Sequence, residues 1–304
     1  MRLILACIST LAVLAACAPA TDTGGDAGLR VVATTGMIAD VARQIGGEAC
    51  EVTALMGPGV DPHLYRATQR DLRALSNAGL ILYNGLKLEG RMEDIFERMA
   101  GRTLTVAVTD GIPRDELRSS PEYPEHYDPH VWMSVPLWRM AAARIHEALV
   151  TADPENAAQY DANAAAYLAE LDELDAEIRA TLESLPESKR VVITAHDAFG
   201  YFGDAYGFEV VGLQGISTDA EFGLRDIERL VGIVLERDVA AVFLETSVSR
   251  RSLEALAEGI RAHNRELRLG GPLYSDALGE AGTPEGTYIG MIRHNAHTIA
   301  EALE

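Results

Sequence analysis

The sequence predicts an α/β protein of two parallel-sheet lobes joined by one long rigid helix, with the crevice between the lobes as the place for a ligand. Three observations lead there. Short apolar runs alternate with amphipathic stretches, the pattern of parallel strands covered by helices. The runs fall into two series, one for each lobe. Between the series lies the strongest helical repeat of apolar residues in the chain.

The elements follow in order. Residues 1–16 carry one early positive charge, Arg2, then an apolar run from 3 to 16. The run is too short for an ordinary membrane span and has the form of an export signal. It ends in Leu14-Ala15-Ala16-Cys17, which resembles a bacterial lipobox. The resemblance implies cleavage before Cys17 and lipidation of its sulfur; a plain signal cut nearby is the alternative. Residues 17–28 are then a lipid-anchored flexible tether. The first lobe spans 29–150, with strands expected at 29–34 (LRVVAT), 50–55, 78–83 (AGLILY) and 103–108, and a helix near 38–44. The connecting helix occupies 151–187. Its apolar residues Tyr160, Ala164, Tyr167, Leu171, Leu174, Ile178, Leu182 and Leu185 recur in steps of three and four. Asp153 caps it, Pro154 suits its first turn and Pro186 ends it, which gives a rod over 154–185 of about 48 Å. The second lobe spans 188–304, with strands at 190–194 (RVVIT), 208–213, 239–244 (VAAVFL) and 267–271.

Composition narrows the function. A formal charge of −20 on 304 residues argues against nucleic acid, because phosphate binding needs a basic face. It also argues against adsorption to an anionic membrane surface, and suits a well-dispersed protein or one that attracts cations. Of the three cysteines, Cys7 leaves with the signal, Cys17 is acylated and Cys50 stands alone. The mature domain therefore has neither an internal disulfide nor a multi-thiolate metal site.

Ligands of open parallel sheets sit beyond the carboxyl ends of the strands, so polar residues just after strands are the candidates. His63, His196, Glu245 and Asp276 meet that condition, and His130 sits in the loop before the helix expected to start near Ser134. Two of them share a context: Asp-Pro-His occurs at 61–63 and at 128–130, in a chain with only 12 prolines and 8 histidines. Proline fixes its own φ and restricts the residue before it, so the backbone entering each histidine is stiff. A ring that must hold one direction, as metal ligation requires, benefits from that. Asp61 and Asp128 are placed to bond a ring N–H or a nearby backbone group. Three imidazoles with one carboxylate suit zinc, manganese or ferrous iron; calcium and magnesium prefer oxygen shells. There is no His-Glu-x-x-His helix, nucleophile elbow, phosphate loop or dinucleotide fingerprint.

With these residues in view, the chain resembles the metal-binding substrate-binding proteins of ABC importers, the TroA-like group or cluster A-I. The matching segments are VVATTGMIADVARQIGG, GVDPHLY, YNGLKLEG, YDPHVWMSVPLW, TAHDAFGYFGDAYGFEVVGLQGIS, VFLETSV and YSDALGEAGTPEGTYIGMIRHN, running from about residue 29 to the end. The resemblance implies two α/β lobes on one long helix and four metal ligands: His63 and His130 from the first lobe, His196 and Asp276 from the second. Glu245 matches a family acid behind the ligands. The chain departs from the pattern in places. The region before the second ligand has only His126 besides His130, not the long His-rich loop of many zinc-specific members. The third ligand is histidine where manganese-specific members often have glutamate. Lys87 stands where relatives often have histidine, and Met133 replaces a common aspartate. The three-His, one-Asp set resembles members that handle both zinc and manganese.

The expected function is an extracytoplasmic, lipid-anchored receptor in the bacterial envelope. It would capture a divalent transition metal, Zn2+ or Mn2+ with Fe2+ possible on chemical grounds, and hand it to the membrane subunits of an ABC permease. A monomer is expected. Two alternatives stand beside it: a metallohydrolase with an open coordination position and Glu245 as base, and an adhesion or structural lipoprotein that metal merely stabilises. The pair His294 and His297, on the last helix, lacks a third ligand and reads as structural.

Overall fold

In a computed structural model of the chain, the described residues are 28–120, 126–219, 223–237 and 239–304. The expected export signal, the expected tether up to residue 27 and Cys17 lie outside them. The first lobe is built from β1 (Leu29–Ala33), α1 (Gly36–Gly46), β2 (Cys50–Ala54), α2 (Gln69–Ser76), β3 (Leu80–Tyr83), α3 (Glu93–Ala100), β4 (Leu104–Ala107) and α4 (Val135–Ala152). The long α5 (Ala157–Glu183) follows. The second lobe holds β5 (Val191–His196), α6 (Gly200–Tyr206), β6 (Glu209–Gln214), α7 (Leu224–Glu236), β7 (Ala241–Glu245), α8 (Arg251–Arg261), β8 (Arg268–Leu273) and α9 (Tyr288–Leu303).

Each sheet has four strands, all parallel, ordered β2-β1-β3-β4 and β6-β5-β7-β8. The central strands read as continuous apolar runs because helices cover both faces. Val31, Val32 and Ala33 of β1, and Ala241, Val242 and Phe243 of β7, are all buried. In both sheets the first strand in sequence lies second in space, so the chain leaves it in two directions. The crevice at the carboxyl ends opens there.

The stripe of apolar residues expected on the connecting helix is the buried face of α5. Tyr160, Ala164, Tyr167, Leu171, Leu174, Ile178 and Leu182 are all buried, and Leu185 continues the stripe just past its end. The helix starts later than the sequence suggests. Pro154–Asn156 form a 3-10 turn, and α5 proper has 27 residues, about 40 Å. The Asp153 carboxylate caps no backbone amide of α5; it accepts from the Asn156 side chain and the Tyr160 hydroxyl, each at 2.7 Å.

The connector is not a bare rod between two bodies. It packs on α1 and α4 of the first lobe and on α9 of the second. One hydrophobic core runs through both lobes, from Val31 and Leu82 in the first sheet to Phe243 and Leu273 in the second. Two smaller clusters cover the outer faces. Polar bonds cross the same junction. Asp40 of α1 accepts the first amide of α9 at Tyr288 (2.9 Å), and the Tyr288 hydroxyl donates to the Trp132 carbonyl (2.8 Å). Arg293 of α9 grips Glu177 of α5 with two bonds of 2.7 Å. A shared core and a second bridging helix make the lobe angle harder to change than one helix alone would. Among the described residues, no helix is long and apolar enough to cross a membrane.

Candidate metal centre

The two Asp-Pro-His turns deliver the first two rings. In each, the aspartate Oδ1 accepts the histidine backbone N–H at 2.9 Å, a local turn in which the short acid bonds two residues on. Beyond that shared bond the turns differ. Asp128 Oδ1 also lies 2.7 Å from His130 Nδ1, so it holds the ring as well as the backbone. Asp61 turns its Oδ2 away from the ring and accepts the Thr218 hydroxyl of the second lobe at 2.6 Å. The second turn is further braced by Asn84, whose Nδ2 donates to the Pro129 carbonyl at 3.1 Å. Asn84 is itself fixed by buried Glu89, which accepts the Asn84 and Gly85 amides and the Thr34 hydroxyl.

The second lobe supplies the rest. His196 is the last residue of β5. Its backbone N–H donates to Glu245 Oε1 at 2.9 Å, and its Nδ1 lies 2.6 Å from Glu245 Oε2. Glu245 ends the neighbouring strand β7, so the parallel pairing brings the two together. Asp276 follows β8. The carbonyl before it, at Ser275, accepts the indole N–H of Trp132 at 2.7 Å, a bond from the first lobe. Trp132 also presents its ring to His130, with centroids 5.2 Å apart.

These elements bring His63, His130, His196 and Asp276 together, with one ligand atom from each within 4.8 Å of all the others. His63 Nε2 is 3.2 Å from His130 Nε2 and 3.9 Å from Asp276 Oδ2. His130 Nε2 is 3.5 Å from Asp276 Oδ1, and His196 Nε2 is 3.2 Å from Asp276 Oδ2. A tetrahedral zinc ion with bonds near 2.0–2.1 Å sets its ligand atoms about 3.3 Å apart. The quoted separations, 3.2 to 3.9 Å, lie close to that value. The group is closed to solvent: His63 is 7% exposed, Asp276 2%, and the other two are fully buried.

Charge and protonation point the same way. Both Asp276 oxygens and His196 Nε2 are buried without an aligned hydrogen-bond partner, a costly state that a cation at the centre relieves. With Asp128 and Glu245 beside their Nδ1 atoms, His130 and His196 turn Nε2 toward the centre. Burial drives the His63 pKa from 6.5 down to about 3, and the neighbouring rings His130 and His196 add to this against the pull of Asp276. For Asp276, burial works to raise the pKa, but the three imidazoles outweigh it and hold the carboxyl well below its ordinary range. His196 goes the other way. Burial disfavours its charged form, yet Glu245 and Asp276 on either side hold its pKa well above the ordinary value.

The remaining sequence candidates separate cleanly. Glu245 and Asp128 lie behind the rings, and Asp61 holds the His63 turn. Lys87 stays outside the cluster, paired with Glu93 at 2.7 Å. Met133 is buried packing. His146 pairs with Asp161, and His294 approaches the Pro272 carbonyl; neither joins a metal-type cluster among the described residues. Sequence reasoning assigned no role to Asn84, Trp132, Tyr201 or Thr218. The first three sit inside the motif segments but bear no local mark of their partners. Thr218 follows such a segment by one residue and pairs across 157 positions.

Comparison with known proteins shows the family and the fold. Residues 31–302 match the family model described as zinc-uptake complex component A, periplasmic. The manganese-binding lipoprotein MntA of Bacillus subtilis (strain 168) is 48% identical over 287 residues, covering 93% of this chain and 94% of that protein. The zinc-binding protein TroA of Treponema pallidum (strain Nichols) is 45% identical over 282 residues, covering 93% of this chain and 91% of that protein. The solved structure of the T. pallidum periplasmic zinc-binding protein superposes with a TM-score of 0.89, over 91% of this chain and 99% of that one. An iron ABC transporter substrate-binding lipoprotein, MtsA of Streptococcus pyogenes serotype M1, is 30% identical over 312 residues, covering 100% of this chain and 98% of that protein. On the match over nearly the whole described chain, together with the fold and the His3Asp cluster, this chain belongs to the ZnuA family of metal-binding substrate-binding proteins.

Proposed function

We propose that the protein is an extracytoplasmic receptor that captures one divalent transition metal ion and delivers it to an ABC-type permease. The cargo is Zn2+ or Mn2+, with Fe2+ compatible with the same donors. His63, His130 and His196 bind through Nε2 and Asp276 through a carboxylate oxygen. Asp128 and Glu245 orient two of the rings from behind, and Asp61 holds the turn that carries the third. A lipid on Cys17 tethers the receptor to the membrane, and it works as a monomer. The observation that carries the reading is the placement of four ligand atoms, two from each lobe, within 4.8 Å of one another in a buried cluster. Such a site assembles only when the lobes are correctly set, which suits a cargo receptor whose permease must tell loaded from empty.

The same geometry weighs against a hydrolase. Four protein donors fill a tetrahedral shell and leave no position for an activated water. Glu245, the one candidate base, spends both oxygens on His196. The donor set does not choose between zinc and manganese, since raw affinity follows the Irving–Williams order whatever the cell supplies. Titration of the metal-free protein with Zn2+ and Mn2+ tests the site. His63→Ala and Asp276→Ala are each expected to abolish tight binding while the far-ultraviolet circular dichroism stays native. Normal binding by either variant removes that residue from the site. Elemental analysis of protein taken from its native envelope, with uptake measured for each metal, identifies the cargo.

A further inference from the structure

Each Asp-Pro-His turn is held from the opposite lobe by one hydroxyl. Tyr201 of α6, 2% exposed, donates to the Asp128 carbonyl at 2.9 Å and accepts the Arg118 amide at 3.0 Å. Thr218, in the loop after β6, donates to Asp61 Oδ2 at 2.6 Å. The two anchors differ in setting. Tyr201 is sealed in the core, whereas Thr218 is half-buried and its neighbour Asp219 is exposed. Asp219 pairs with Arg91, and Arg91 also donates to the Leu64 carbonyl at 3.3 Å. The loop after β6 thus grips the chain on both sides of His63: at Asp61 directly, and at Leu64 through Arg91. Beside this grip lies a cavity of about 210 Å³ lined by His63, Lys87, Tyr127, Pro129, Ile216 and Ser217. His63 is also the most exposed of the four clustered side chains.

We propose that Thr218 is a positioning residue that bolts His63 to the second lobe through Asp61, and that the ion leaves the centre past His63 when this bolt opens. The inference rests on the receptor reading above. Its physical basis is the inequality of the two anchors. An exposed ion pair contributes little and is screened by salt, whereas a buried hydroxyl bond cannot open without leaving polar groups unpaired. The lobes therefore part first on the Thr218 side, while the Tyr201 side stays closed. Asp61 transmits the event, because one carboxylate holds both the Thr218 hydroxyl and the His63 amide.

The test uses the full chain loaded with Zn2+ and mixed with excess EDTA in a stopped-flow instrument. Thr218→Val keeps the side-chain shape and removes the hydroxyl. Zinc release is expected to be about tenfold faster, the scale of one lost hydrogen bond to a charged group. Zinc association should stay unchanged and the far-ultraviolet circular dichroism native, and Thr218→Ser should restore slow release. Asp219→Asn, at an exposed position, should speed release about twofold at low salt. Release at the wild-type rate in Thr218→Val overturns the proposal. So does a Thr218→Ser protein as fast as Thr218→Val, which would assign the effect to the methyl group. A wild-type protein that takes up neither Zn2+ nor Mn2+ overturns the receptor reading and this inference with it.

Discussion

At the scale of residues, the centre is a competition between a proton and a cation. Glu245 and Asp276 favour a proton on His196 in the metal-free protein, and on the proposed receptor reading an incoming ion competes with that proton. The sign follows directly. Below the raised His196 pKa, affinity falls by up to about one decade per pH unit; above it, affinity levels off. His63, with its pKa pushed down to about 3, adds nothing to the slope near neutrality. Competition titrations with Zn2+ across neutral pH should show a single-proton slope. Glu245→Gln should move its upper end to lower pH, because it removes one of the two carboxylates that stabilise the imidazolium. A profile that is flat, or that Glu245→Gln leaves in place, sinks this account. The same shifts act on folding in opposite directions. Stability from the raised His196 pKa is complete below its unfolded value and is lost as pH rises through the folded one. The lowered His63 pKa costs stability as pH falls from 6.5 toward about 3, where the unfolded chain takes the proton first.

At the scale of elements, α5 and α9 set how far the lobes move. The α5 stripe packs into a core shared by both lobes, so a cavity there weakens the whole molecule and not one half of it. Leu171→Ala, at a position with no exposure, should cost about 2–5 kcal/mol in urea unfolding of the metal-free protein. The transition should remain single, with no separately melting lobe. Two distinct transitions would mean that the core is divided after all. This helix was the most legible element in the sequence. Its buried residues repeat every three or four positions over seven turns, and periodicity of that length outweighs local ambiguity. Its start was less legible. Asp153 and Pro154 have the residue types of a cap and a first turn, but Asp153 is claimed by Tyr160 and Asn156, and the chain passes through a 3-10 turn first.

At the scale of the whole molecule, the site and the lobe arrangement are one equilibrium. On the proposed reading the four donors come from both lobes, so the ion binds only the assembled protein, and ligation should raise the melting temperature with free metal concentration. At one hundred times the dissociation constant the gain is about 2.7 kcal/mol. His196→Ala should lose most of that shift in thermal scans with and without Zn2+; a full shift in the variant would place the ion elsewhere. With two helices and a common core bridging the lobes, small-angle scattering should show only a modest change on metal removal, without the wide opening of a hinge on flexible strands.

The sequence by itself determined the two series of strands, the helix between them, a set of five candidate residues that contains the four clustered ones, and the stiff backbone that enters each Asp-Pro-His histidine. All of these are short-range matters: periodicity and proline's restricted backbone. Family resemblance added the grouping of the four, which no local pattern states. Only the tertiary structure decided what each aspartate does with its remaining capacity. Asp128 meets the Nδ1 of its own ring, while Asp61 meets Thr218 in the other lobe. The tripeptides are identical, so the difference cannot be local. It arises because the second turn is packed against Asn84, Trp132 and Tyr201 in the core, whereas the first lies beside a cavity and meets the loop after β6 at Thr218.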